Sequence, residues 1–576
     1  MKKIITIIVI VGVVTWGAWY FMKSIPEGVK PAELLPADTL FMVELLNLEK
    51  SINDFKKGEM GQQLKKIDFF QVMQKMKVPE KTIEKYKKAK SAALSTLDNR
   101  VFKELFGQKA VFALLPIKFK QFSLDEINKV LGSVVVICHP KHRLELVEFV
   151  SQIYTQNLEC EIETYGKYKI RHFNLKYGIP IYYVWSKGLL ITTFDQQRIK
   201  NLIDIMEKQN SSLIKNETYQ HLRRKLDSSR IRSFAYINIE KTYENIVNIS
   251  QSVIGEKEKF AAFERSLAGL KGLKSFGYAS YHDGSNLFQQ KMLIMVDKEK
   301  LDPVYARIYF IKPEENRTLP MIPKNTLFYY WANNLHLKTY LDIYFQNQPE
   351  NDETKELQRL LLEKEIDVSE DEMVHAFGNQ FGFILRDINT GGPFPIPKLT
   401  LFVEAKNKDI AVQLIERATR KLKLGLAKEK FKDTEINYLM LPFGSDFQPA
   451  YAFLNNFCLI SISRQLIKDM IITYYGEENI TSDKDFLSVN RGLIDKNNSI
   501  MFIKFDHLIE EIKEVISWGK NIMAFKDPSK AGEGAILING VVNPVLDSLK
   551  MYRTIGSRTF TIENEIETDI YCKIES

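Results

Sequence analysis

Apolar positions along this chain fall into a succession of short runs and amphipathic stretches that occurs twice. Leu35-Pro36-Ala37-Asp38-Thr39-Leu40-Phe41 returns as Ile322-Pro323-Lys324-Asn325-Thr326-Leu327-Phe328 at an offset of 287, and Asn47-Leu48 meets Asn334-Leu335 in the same register. In both places a Pro-x-x-Thr turn feeds a strand-like apolar run. Phe106-Gly107-Gln108 then leads into Ala110 to Leu115, and Phe377-Gly378-Asn379 leads into Phe381 to Leu385, each a turn opening a strand. Val134 to Cys138 and Leu399 to Val403 predict the next strands, and a helical pattern follows each. Leu146, Val147, Val150, Ile153 and Tyr154 share one face of the first helix; Ala411, Leu414, Ile415, Ala418 and Leu422 share one face of the second.

Tyr182 to Ile203 and Tyr451 to Ile471 repeat a hairpin followed by a helix. Lys187-Gly188 stands where Asn455-Asn456 stands, and Gly and Asn tolerate the positive φ of two-residue hairpin turns. Asp195 and Ser463 are placed as helix N-caps. Ser233 to Ile239 matches Ser499 to Phe505, and the final strand pairs run from Phe276-Gly277 to about Val296 and from Ile555-Gly556 to Ile574. Several hairpins interrupted by single helices predict an α+β fold, a mostly antiparallel sheet with helices packed mainly on one face, present as two tandem copies. The expected organisation is an N-terminal anchor over 1–24, a short linker over 25–33, a first repeat over 34–298, a linker over 299–320 and a second repeat over 321–576. The first copy carries additional helix from about Ser51 to Leu105, broken at Val78-Pro79. Asn389 to Pro397 reads as an irregular insert, and Ala531-Gly532-Glu533-Gly534-Ala535 as a flexible connector.

One apolar stretch lies outside this duplication. Ile4 to Met22 contains no charged side chain, and its 19 residues span about 28 Å as a helix, close to the hydrocarbon thickness of a bilayer. Lys2 and Lys3 precede it, while Trp16, Trp19 and Tyr20 cluster near its far end. A single transmembrane helix with its N-terminus inside is expected, with the bulk of the chain outside the cytoplasm and the bilayer as its first partner. A cleaved signal peptide is the competing reading, but no small-x-small pattern follows the apolar run.

Composition narrows the class. Charged residues at 26% and apolar residues at 45% are globular values, which excludes wholesale disorder. The net charge of +8 is spread along the chain, and its densest stretch, Lys81 to Lys90, reads as the wet face of a helix, so nucleic acid is not an expected partner. Cys138, Cys160, Cys458 and Cys572 show no paired spacing and read as small apolar residues.

Candidate chemistry is sparse. His139-Pro140-Lys141-His142 with Glu145 is the sharpest metal-like cluster, yet it lacks the spacing of a zinc helix, so the histidines read as surface residues at a helix start. Neither has a histidine counterpart in the other copy. His172, His221, His282, His336, His375 and His507 are isolated, no nucleophile elbow or phosphate loop occurs, and Glu370, Asp371 and Glu372 read as a solvated run rather than an acid/base set. No catalytic residue, metal or cofactor is assigned. Phe328-Tyr329-Tyr330-Trp331 is different, because four consecutive aromatics on a strand place two on each face. One pair belongs to a core and the other must be covered; Tyr329 and Trp331 are the candidate partner-binding pair.

The N-terminal anchor, with Leu35-Pro36-Ala37-Asp38-Thr39 opening a strand ahead of Glu44 and a long strand-and-helix region after it, resembles a bacterial family of membrane-anchored proteins known only as a domain of unknown function. That resemblance implies an envelope location and carries over no catalytic residues. The expected function is a non-enzymatic, membrane-tethered envelope protein offering a binding or scaffolding surface to another envelope component. A carrier or sensor of an apolar ligand, and a hydrolase with an unrecognised site, are the alternatives.

Overall fold

The computed structural model describes residues 30–98, 108–118, 130–139, 160–175, 179–208, 211–228, 230–282, 286–346, 368–390, 392, 394–442, 444–476 and 478–575. The expected anchor, Ile4 to Met22, lies outside them, as do Gly107, Pro140 to Glu145 and the expected helix from Leu146 to Tyr154. Among the described residues no helix is long and apolar enough to cross a membrane. The chain forms a mixed helix and strand structure with extensive antiparallel sheet, in two compact units. The first comprises residues up to 61, 78–285 and 290–301; the second comprises 62–77, 286–289 and 302–576.

Among the described residues, ten strands lie in the first part of the chain: β1 (Phe41–Leu46), β2 (Lys109–Leu114), β3 (Val134–His139), β4 (Glu161–Tyr165), β5 (Tyr168–Leu175), β6 (Ile179–Ser186), β7 (Leu189–Thr193), β8 (Ile231–Asn238), β9 (Leu273–His282) and β10 (Leu287–Val296). Hydrogen bonding orders them β10-β9-β8-β1-β2-β3-β7-β6-β5-β4. Helices α1 (Leu48–Lys57), α2 (Glu59–Lys65), α3 (Phe69–Lys75) and α4 (Glu80–Asp98) follow β1; α5 (Gln196–Lys208), α6 (Glu217–Leu226), α7 (Ile239–Val253) and α8 (Lys257–Ser266) follow later strands. The helical stretch after Ser51 is thus broken at several points besides Val78-Pro79.

The second part of the chain opens with α9 (Pro303–Tyr309), inside the stretch read as a linker. Its strands are β11 (Phe328–Ala332), β12 (Phe377–Asn389), β13 (Ile396–Ala405), β14 (Leu426–Phe431), β15 (Thr434–Leu439), β16 (Ala450–Leu454), β17 (Phe457–Ser461), β18 (Ser499–Lys504), β19 (Tyr552–Ile562) and β20 (Glu565–Ile574). Their order is β20-β19-β18-β11-β12-β13-β17-β16-β15-β14. Adding ten to each strand number of the first sheet gives the second. The helices are α10 (Leu337–Gln346), α11 (Glu370–Ala376), α12 (Lys408–Lys421), α13 (Arg464–Tyr475), α14 (Lys484–Val489), α15 (Phe505–Lys526), α16 (Pro528–Leu537) and, after a π-helical turn over Ile538–Val542, α17 (Asn543–Leu549).

Local bonds explain why the recurring residues recur. The Thr39 hydroxyl donates to the Pro36 carbonyl at 2.6 Å, and the Thr326 hydroxyl to that of Pro323 at 2.7 Å, closing the same turn ahead of β1 and β11. Leu213 N–H reaches Leu35 O at 2.7 Å, and Ile480 N–H reaches Ile322 O at 2.9 Å. Asp195 and Ser463 cap α5 and α13 by accepting from Arg198 N–H and Leu466 N–H. Gly277 and Gly556 mark close approach of helix and strand: a Cβ would lie 2.8 Å from Leu226 Cδ1 in one unit and 2.8 Å from Val489 Cγ2 in the other.

Each main core lies between one sheet face and two helices. In the first unit Met42, Val135, Ile137 and Ile191 meet Ile199 and Leu202 of α5 and Leu222 of α6. In the second, Tyr329, Trp331, Ile384 and Phe402 belong with Leu466, Ile467 and Met470 of α13 and Phe486 of α14. Smaller clusters occupy the opposite faces, so helices are not confined to one side.

Two local expectations fail. Ala531 to Ala535 is helical, inside α16, where Gly534 lies against Met523 of α15 with the added-Cβ distance at 3.4 Å; helix packing outweighs a glycine cost of about 1 kcal/mol each. Asn389 to Pro397 is also shorter as a loop than expected. Asn389 pairs with Ile396 and Ile388 with Pro397 beside a register shift, the kind of irregularity that accommodates proline in a sheet.

Candidate functional site

Tyr329 and Trp331 are the interior pair of the aromatic run, both 0% exposed. The Tyr329 hydroxyl is held by Asn316 Nδ2 at 2.6 Å and Thr318 Oγ1 at 2.7 Å, and burial pushes the phenol's pKa up. Trp331 Nε1 donates to Gln380 Oε1 at 3.2 Å. The pair that turns outward is Phe328 and Tyr330, because alternate residues of a strand face opposite ways. Phe328 stacks on Phe383 at 5.1 Å, and Tyr330 tilts against Phe383 at 5.8 Å.

From Tyr330 an apolar row crosses the outer face of the second sheet. Register pairs Tyr330 with Phe383, Phe383 with Leu401, Leu401 with Ile460, and Ile460 with Tyr451. Leu401 and Ile460, side by side, are 49% and 47% exposed. The matching row of the first unit is Val43, Phe112, Val136, Thr192 and Tyr183. There Val43 and Phe112 pack against Leu48 and Ile52, and Tyr183 is buried beside Cys138 and Leu190. The open apolar row therefore belongs to the second unit. Which pair of Phe328 to Trp331 faces outward could not be read from the run itself; the signal available was the outward counterparts Leu401 and Ile460, which appear only once strands are paired.

Charged groups at the first sheet's centre form a closed cluster. Glu44, nearly buried on β1, pairs with Lys109 of β2 and, at 3.0 Å, with Arg223 of α6, whose guanidinium lies 4.6 Å from the Phe234 ring centroid. Burial works to raise the carboxyl pKa, but the Arg223 and Lys109 charges outweigh it and hold Glu44 below the usual carboxylate range. Both oxygens are occupied by cations, an arrangement suited to holding strands and helix together.

The remaining candidates also take structural places. Glu370, Asp371 and Glu372 form the first turn of α11, where Ser369 and Glu372 make a capping box and Glu372 accepts from Arg417 at 2.6 Å. His139 Nδ1 lies 3.1 Å from Gln108 Oε1, while His142 falls outside the described residues. His172 stacks on Tyr182, His375 Nδ1 lies 2.7 Å from Asp371 O, and burial together with Arg307 lowers the pKa of His336. Cys138, Cys458 and Cys572 are buried and unpaired, and Cys160 is half-buried and unpaired. Among the described residues no group of three metal-ligating side chains converges. A cleft of about 310 Å³ in the first unit is walled by Glu240, Tyr243, Leu270, Lys271, Leu273 and Lys300, with Lys300 on Glu240 at 2.6 Å.

Residues 3–370, from the uncharged N-terminal run through the whole first sheet to α11, match the family described as "Protein of unknown function (DUF3352)". The chain belongs to the DUF3352 family. The DUF3352 match thus takes in the Pro-x-x-Thr turn at both of its occurrences and the Glu44 cluster, whereas Leu401 and Ile460 lie beyond it. No curated protein and no solved structure matches the chain.

Proposed function

We propose that this chain is a non-enzymatic envelope protein, tethered by an N-terminal membrane helix over Ile4 to Met22, whose two units are diverged copies offering a binding surface to another envelope component. One observation carries the binding reading: Leu401 and Ile460 stand paired and half exposed in an apolar row that continues to Tyr330 and Tyr451. Contiguous apolar surface of this kind marks interaction sites on folded proteins. The copy reading is supported by the shared strand order and by the paired Thr39 and Thr326 turns. Tethering is supported by the uncharged run and the lysines before it, together with a family match that begins at residue 3. The ligand-carrier alternative would rest on the cleft at Glu240, where Tyr243, Leu270 and Leu273 share the walls with the Lys300–Glu240 ion pair.

Crosslinked capture of the full chain from membranes tests this reading. Leu401→Glu with Ile460→Lys, opposite charges on facing residues, is expected to change folding stability by no more than about 0.5 kcal/mol per site, the usual range for surface substitutions, while abolishing partner capture. Undiminished capture by the double variant rules the row out as the binding surface. Alkaline phosphatase fused after Ser576 is expected to be active outside the cytoplasm, and a fusion active only inside removes the location.

A further inference from the structure

The two sheets differ in the helical arm that joins their matching strands. Between β8 and β9 the arm is α7 and α8; between β18 and β19 it is α15, α16 and α17. α15 has 22 residues, about 33 Å of helix, and Met523 near its end lies over Gly534 of α16, so the two helices double back as a hairpin. At the turn of that hairpin Phe525 is 88% exposed, the most exposed large apolar side chain among the described residues, and Met523 is 43% exposed. Trp518, Ile522 and Phe525 follow the i, i+4, i+7 spacing of one helix face. Residues 515–526 carry Lys520 and Lys526 and no carboxylate; Glu514 precedes them and Asp527 follows.

We infer that this hairpin tip docks on a lipid bilayer surface bearing anionic headgroups. A folded protein has no internal use for a phenyl ring held at a helix end in water, whereas the headgroup boundary accepts aromatic and aliphatic side chains while lysines reach the phosphates. The last turns of α15 supply both features together. The arm of the first unit supplies neither in the same form: its tip exposes Val253 at 40%, and the residues that follow alternate acid and base over Glu256, Lys257, Glu258 and Lys259, with Lys259 on Glu256 at 2.8 Å. That arm is the internal control. The inference rests on the tethering reading, which already brings the chain to a bilayer, and adds a second point of contact to it.

The test uses the full chain reconstituted in phosphatidylcholine vesicles with or without phosphatidylglycerol. A bimane label is placed at Phe525→Cys, or at Val253→Cys as control, in a Cys160→Ser background, since the other three cysteines are buried. In phosphatidylglycerol vesicles the label at 525 should be quenched severalfold more by doxyl-labelled lipid than the label at 253, and shielded from aqueous iodide. Lys520→Glu with Lys526→Glu should remove that difference. Equal lipid quenching at the two positions overturns the inference, and so does iodide shielding without lipid quenching, which points to a protein or a second copy as the occupant. Quenching indifferent to phosphatidylglycerol overturns the anionic preference. A chain released from the vesicles by alkaline wash sinks the tethering reading, whereas a retained chain with a water-exposed 525 sinks only the docking.

Discussion

At one position in the middle of its sheet the first unit buries a carboxylate and the second buries an indole. Glu44 is the fourth residue of β1 and Trp331 the fourth of β11, and the strands on either side follow the same pairing. Each needs a polar neighbour from the next strand: Lys109 for Glu44, and Gln380, at the matching place on β12, for Trp331. Gln380 is itself held by Glu314 at 3.1 Å. The difference teaches that the sheet tolerates either solution provided the buried donor or acceptor is satisfied, and that the residues must change together. Glu44 also needs Arg223 from α6, so the charged solution binds a helix to the sheet by ion pairing where the aromatic solution does so by packing.

The largest effect separates packing from pairing. Trp331→Ala should cost about 4 kcal/mol, because it removes a fully buried indole and leaves Gln380 without its donor. Urea denaturation of the full chain measures this; a loss under about 1 kcal/mol would mean that the second core collapses around the gap. Arg223→Met should cost less, about 2 kcal/mol, below the roughly 3–5 kcal/mol of a fully buried pair, since Lys109 remains and both cations keep partial access to water. A cost above that of Trp331→Ala would reverse the order.

The same comparison predicts a pH dependence at the Glu44 position that its counterpart Trp331 cannot share. The Glu44 pKa is depressed in the folded chain, so the unfolded chain takes up the proton first as pH falls. Its stabilising contribution is complete above the unfolded carboxyl value, about 4.3, and is lost as pH drops through the folded value. Comparing wild type with Glu44→Gln in denaturation between neutral and acid pH, the stability difference should shrink as pH falls below about 4. A difference that stays constant with pH would place the cluster's worth in shape rather than charge.

How much of this was legible depends on the distance between the groups involved. The Pro36 and Pro323 turns, the caps at Asp195 and Ser463 and the hairpins at Lys187 and Asn455 act within a few residues, and each could be read from the chain. The Glu44 cluster joins residues 179 apart, and nothing local to Arg223 announces it. Parity in Phe328 to Trp331 is equally non-local: alternation fixes that two aromatics face each way, but only α13 and α14 decide which two. The open row through Leu401 and Ile460 was hidden for the same reason. The helix through Ala531 to Ala535 was missed because glycine-rich composition was weighed without the partner helix that holds it.

The smallest effect lies in the two hairpins, where the units again differ at one place. Lys187 and Asn455 each open a two-residue turn, with φ of 51° and 53°. Asparagine tolerates this left-handed backbone, whereas for lysine it costs on the order of 1 kcal/mol. Exchanging the residues should therefore shift stability in opposite directions: Lys187→Asn should gain about 0.5 kcal/mol and Asn455→Lys should lose a similar amount. Lys187 also lies in the field of Glu207, so the measurement belongs at high salt, where interactions between exposed charges are screened. A loss from both exchanges would show that each side chain is held by contacts of its own unit, and the two turns would then cease to be interchangeable parts of one plan.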